Sequence, residues 1–257
     1  MPSILWFLTA GLVATRLLGM FATMPIFSLR GGSALPRALG AVLISAIIAP
    51  VVPEAPVPST LAMYFSGMVT ELLLGSLIGG TVRIIFDALA LAGQLIGTQT
   101  GQAAALQFDP TLNISQGPIG RLAALLAAAT FLGADMHLQM ILALGDSFYL
   151  VPPGGAVDVI GASRAWIGLG EVMIITGYQL ASPIIVLVFL INLFVAVVTR
   201  LSPQMNIFFS MGFILTIFGG EFIFLLSLPH ILTQHHDLLR SVLDLIPTVL
   251  NDAAGAP

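Results

Sequence analysis

Apolar runs and short clusters of Pro, Gly and charge alternate along the whole chain. The runs fall at about residues 4–24, 38–52, 61–82, 88–106, 121–145, 171–199 and 207–228. Most approach the ~20 residues that carry an α-helix across a hydrocarbon core. The second is short, and the fourth is rich in Gly and Gln. Between them lie "SLRGGSALPR", "PVVPEAPVPST", "LQFDPTLNISQGPIGR", "VPPGGAVDVIGASR" and "RLSPQMN", which hold the residues that start and end helices. The pattern predicts an all-α, polytopic membrane protein of hairpins and Gly/Pro-broken helices, one integral membrane domain over residues 1–257. The first run has no basic stretch ahead of it and carries Arg16 inside it, so it reads as a retained helix and not as a cleavable signal.

Composition fixes the solvent. Of 257 residues, 58% are hydrophobic and 8% charged, with a mean hydropathy of +1.05; a water-soluble chain of that kind would expose large apolar patches. All eight basic residues are Arg and are scattered, which leaves no polybasic segment, so nucleic acid is not expected as a partner. Without cysteine there are no disulfides and no thiolate chemistry.

Charges inside the apolar runs need partners, because an isolated ionised group at membrane depth costs about 2.5–3.5 kcal/mol even on the lenient insertion scale. Arg16, Glu71, Arg83, Asp87, Asp135, Glu171 and Glu221 lie in runs or at their edges. Arg83 and Asp87 are spaced to pair on one helix face. Glu71 and Glu221 have no local partner, so each is expected to pair with an Arg of another helix or subunit, with proton relay as the alternative. Orientation adds a conflict. Arg30 and Arg37 mark the first loop as cytoplasmic, but Arg83 and Arg200 cannot then both be cytoplasmic if every run crosses once, so at least one run is expected to be re-entrant or packed on protein.

In "LAGQLIGTQTGQAAALQ", Gly93, Gly97 and Gly101 form a small-residue stripe beside a polar stripe of Gln94, Thr98 and Gln102. Small residues let backbones approach closely, and amides facing lipid would stay unsatisfied, so both stripes should meet protein or water. Gly75 and Gly79 repeat the spacing and read as an ordinary helix crossing. Met20 with Met24, and Met136 with Met140, read as packing pairs.

No constellation carries catalysis. "HILTQHH" lacks the Glu of a zinc protease helix, and His230, His235 and His236 read as solvated or helix-end residues; no nucleophile elbow or phosphate loop occurs. No cofactor, metal or enzymatic activity is expected.

Taken together, "TRLLGMFATMPIF", "ALPRALGAVLISAIIAPVVP", "ELLLGSLIGG", the Gly-rich helix ending in "FDP", "MHLQMILALGDSFYLVPPGG" and "LASPIIVLVFLINLFVAVVTRLSPQMNIFFSMGF" resemble the FliR family, the flagellar export-gate proteins of type III secretion, with injectisome counterparts as close relatives. The last piece, with Pro183, Asn192, Arg200, Pro203, Gln204 and Asn206, is the most specific; Ile214 departs from the Pro usual there. The resemblance implies a non-enzymatic subunit packed with FliP-like and FliQ-like proteins into a hetero-oligomeric export-gate core in the bacterial inner membrane, at the flagellar basal body. FlhB-like and FlhA-like proteins, unfolded export substrates and membrane lipid are the further implied partners. It also maps a plug onto residues 107–120. There Phe108 is the apolar stopper, Asp109 and Asn113 hold the turn, Pro110 and Pro118 limit the loop's conformations, and Gly117 offers a hinge. The stripe is expected to face the conduit or a neighbouring subunit, and Arg200, Pro203, Gln204 and Asn206 to form a partner-packing corner. A secondary transporter or channel for a small solute is the alternative, weakened by the lack of an inverted repeat and of an ion-binding carboxylate set.

Overall fold

A computed structural model of the chain describes residues 4–24, 34–102, 117–201 and 212–254. Among these, every regular element is an α-helix: α1 (Ile4–Thr23), α2 (Ala34–Ile48), α3 (Leu61–Gln99), α4 (Pro118–Gly133), α5 (Met136–Leu150), α6 (Val159–Leu201), α7 (Phe213–Leu243) and α8 (Ile246–Ala254). Four stretches, Ile4–Thr23, Leu61–Gln99, Val159–Leu201 and Ile214–Ala254, are long and apolar enough to cross a membrane, and the α4–α5 pair makes a fifth if taken as one span. The chain forms two compact units, one of residues 1–85, 131–171 and 239–257, the other of residues 86–130 and 172–238.

The helices run longer than the hydropathy breaks suggest. Residues 61–82 and 88–106, expected as two runs, belong largely to α3. Charge interrupts hydropathy at Arg83 and Asp87, but neither residue stops a helix, and no Pro occurs between Pro58 and Pro110. α3 ends where Gly101 turns left-handed, at φ +81°, a backbone state that glycine adopts at helix C-termini without steric cost. The run expected over 121–145 is broken instead. Asp135 sits at φ 54°, and α4 and α5 meet at 67°. α6 starts at Val159, earlier than expected, because the Asp158 carboxylate accepts the Ile160 N–H at 3.0 Å and caps the helix. It then continues through Pro183. Proline there leaves the Gln179 carbonyl without its backbone donor, and the Ser182 hydroxyl supplies one at 3.0 Å.

In the first unit, glycines set how closely α1 and α3 cross. The Gly19 backbone lies against the Leu72 carbonyl, Gly75 against the Arg16 carbonyl, and Gly79 against Met20 and Thr23. This is the crossing within one chain expected for Gly75 and Gly79. Met20, Met24, Met136 and Met140 are all buried, in keeping with packing roles. α8 docks its Ile246, Val249, Leu250 and Ala253 side and packs on α5; the Asp158 N–H donates to its Ala253 carbonyl at 2.7 Å.

The crossing yields a prediction. Gly75→Val puts a β-carbon into the Arg16 carbonyl, which cannot swing away as a flexible side chain would. Such overpacking costs about 1–3 kcal/mol, enough to lower abundance several-fold. Immunoblots of the membrane fraction from cells carrying a tagged chain should show that loss; wild-type levels would mean that the helices can part.

Candidate functional site

Among the described residues, two polar centres interrupt the apolar packing, one in each unit. In the first unit, Arg16 of α1 and Glu71 of α3 are both fully buried and meet in a two-point ion pair. Nε donates to Oε2 at 2.6 Å and Nη2 to Oε1 at 3.1 Å. Nη1 donates to Ser147 Oγ at 3.0 Å and Nη2 to the Val151 carbonyl at 2.9 Å. The guanidinium carbon stands 4.1 Å from the centre of the Phe148 ring. Glu71 Oε1 also takes the Gly154 N–H at 2.8 Å, and Gly154 is left-handed, at φ +78°. Planar, forked donors suit this arrangement, and a lysine could not reproduce it. The expectation that Glu71 pairs with an Arg of another helix is met. Ser147, Phe148, Val151 and Gly154 were not foreseen as parts of this centre. Their signal was the polar, Gly-containing stretch "DSFYLVPPGG", which ends an apolar helix just where a buried Arg needs acceptors.

In the second unit the expected stripe divides. Gln94 and Thr98 are exposed, and the Thr98 hydroxyl is satisfied by its own helix at the Leu95 carbonyl, 2.7 Å away. Gln102 is buried, and its Nε2 donates to Glu221 Oε1 on α7 at 3.1 Å. The second unpaired acid thus faces an amide and not an Arg. Gly93 packs against α4, where a β-carbon on it would lie 2.9 Å from both the Gly120 Cα and the Ala123 Cβ. Built the same way, β-carbons at Gly97 and Gly117 would lie 3.6 and 3.2 Å from Gln102 Oε1. Residue 220, also glycine, abuts the buried Thr100. Thr216 of α7 donates to Asn192 Oδ1 of α6 at 3.0 Å.

Of the plug residues expected from the resemblance, Gly117 immediately precedes α4 and Pro118 is its first residue, the position where a missing N–H matters least. Phe108, Asp109, Pro110 and Asn113 lie outside the described residues. Arg200 is exposed in the last turn of α6, while Pro203, Gln204 and Asn206 also lie outside them. His235 corrects one expectation. It is fully buried, and neither ring nitrogen has a hydrogen-bond partner among the described residues, because the face of α7 that carries it packs inward.

Residues 7–242 match the family described as bacterial export proteins, family 1. The flagellar biosynthetic protein FliR of Pectobacterium carotovorum is 34% identical over 244 residues, covering 94% of this chain and 92% of that protein. FliR of Escherichia coli is 30% identical over 243 residues, covering 91% and 92%. The Yop proteins translocation protein T of Yersinia pestis is 28% identical over 211 residues, covering 78% of each. A match of this extent, at these identities, means that the chain belongs to the FliR family of bacterial export proteins.

Proposed function

We propose that the chain is a non-enzymatic subunit of a type III protein export gate in the bacterial inner membrane, forming part of the conduit and its plug for flagellar export. The observation that carries this reading is the near end-to-end match to flagellar FliR proteins, with a translocation protein of Yersinia among the relatives.

The helices support an assembly. At 1.5 Å per residue, the 43 residues of α6 extend about 65 Å, roughly twice a hydrocarbon core. Fitting that length into lipid alone would need a tilt of about 60°, beyond the 0–40° seen for membrane helices. Yet only 22% of the most apolar stretch of α6 is buried, against 72% for α3, and Val186, Phe189, Leu190, Phe194 and Val197 are exposed. Surface of that kind beyond the bilayer calls for protein, and helices of FliP-like and FliQ-like subunits are the proposed cover. FlhB-like and FlhA-like proteins and unfolded substrates complete the proposed partner set. Within it, residues 107–120 serve as the plug, the exposed Gln94 and Thr98 face the conduit or a neighbouring subunit, and the corner from Arg200 to Asn206 packs on partners. A polar segment rich in Pro, such as the one that carries Asp109, Pro110, Asn113 and Pro118, is tolerated at membrane depth where it is enclosed by protein or lines an aqueous path, and a plug satisfies that condition.

Gentle detergent extraction from cells that express all gate components, followed by native mass measurement, tests the reading. The chain should run in a large hetero-oligomer. A monomer that binds a small solute would overturn the proposal in favour of a transporter.

A further inference from the structure

The second unit holds one arrangement that the export reading does not use. Gln102 follows the left-handed Gly101, so its side chain leaves the α3 stripe and turns toward α7. There Glu221 takes its Nε2. With Nε2 committed, Oε1 points the other way and is buried with no hydrogen bond of its own among the described residues. The space that it occupies depends on residue 117 lacking a β-carbon; one there would sit 3.2 Å from Oε1 and 3.8 Å from the Gln102 Cβ, closer to Oε1 than an ordinary contact allows. Gln102 and Gly117 are therefore held side by side, although 103–116 separate them in sequence. A second contact fixes the same end of α3 independently, since Gly220, the residue before Glu221, seats Thr100.

We propose that Glu221 is a positioning residue that, through Gln102, clamps together the two ends of the 103–116 segment, residues 102 and 117, against α7. A hydrogen bond to a carboxylate is about twice as strong as one between neutral groups, and it fixes which face of the amide meets the glycines. In this way the carboxylate sets the spacing between the end of α3 and the start of α4. What the clamp serves rests on the plug reading; that it exists does not.

The cysteine-free chain permits a clean test. Spin labels on Gln99→Cys and Arg121→Cys, both exposed positions, flank the clamp. Their distance distribution is read by double electron–electron resonance on the full chain in its assembled complex. It should be narrow in the otherwise unaltered protein, broadened and shifted in Glu221→Leu and in Gln102→Ala, and restored in Glu221→Gln, where an amide can still accept from Nε2. Gln102→Ala carries the test if Glu221→Leu fails to accumulate. An unchanged distribution in these variants overturns the clamp. Proton leak in the same strains addresses the plug separately. A changed distance with a tight membrane upholds the clamp and removes its link to a plug; a changed distance with a leak upholds both.

Discussion

Glu71→Leu, with Arg16 left in place, should largely remove the protein from the membrane. The substitution strands a fully buried guanidinium and leaves the Gly154 N–H without its acceptor. Breaking one side of a buried pair costs about 3–5 kcal/mol, a large part of the 5–15 kcal/mol that stabilises a typical domain. The double variant Arg16→Leu/Glu71→Leu should recover much of the loss, because an apolar pair of similar volume is often no worse than a buried ion pair. Recovery should stay incomplete, since the Val151 carbonyl and the Gly154 N–H each lose a partner. Quantitative immunoblots of membranes and thermal aggregation in detergent provide the readout. Wild-type abundance and melting in the single variant would show that the pair contributes little.

Excising residues 110–116 and bridging the gap with a short Gly-Ser linker should open a leak for protons and small solutes in cells that contain the complete gate. The cut spares Gly117, which abuts Gln102, and Pro118, which begins α4, so that packing in the second unit is kept. Phe108 and Asp109 stay in place, and Phe108→Gly in the same background should enlarge the leak. The complex must first be shown to assemble by native mass measurement. An assembled gate with a tight membrane would return the segment to an ordinary connector. A leak that needs the partner subunits would support the plug.

The helical character of the fold was legible because apolar runs near the length of a membrane crossing leave few other structures open. So was the need of Glu71 for an Arg, because a charge in an apolar run must be neutralised and Arg16 stood in another run. Helix lengths were not legible. Hydropathy drops at Arg83, Asp87, Arg164 and Glu171, yet backbone hydrogen bonding is indifferent to a charged side chain that has somewhere to go. The run over 171–199 passes through Pro183, and what lets the helix do the same, the Ser182 hydroxyl on the Gln179 carbonyl, is a contact that hydropathy does not carry. The Gln stripe misleads for a related reason. Residues 94, 98 and 102 share a face only while the helix lasts, and it ends at Gln99; beyond the left-handed Gly101, Gln102 follows a different direction into the unit and finds Glu221. At the other end of the scale, the inward position of His235 could not be read from "HILTQHH", since two adjacent histidines point to different faces and only packing decides which of them is enclosed.

The Arg16–Glu71 pair also imposes an order on biosynthesis. Arg16 leaves the ribosome 55 residues ahead of its counter-charge and 131 residues ahead of Ser147. At about 5–20 residues per second, the first interval alone lasts on the order of 3–11 s. Throughout that time α1 meets the insertion machinery with an uncompensated cation. Its Leu, Ile, Phe and Val residues together favour insertion by about 3–5 kcal/mol, close to what a central Arg costs on the same scale. On that balance Arg16 offsets most of what the apolar residues of α1 contribute, and its counter-charge, Glu71, arrives only with α3.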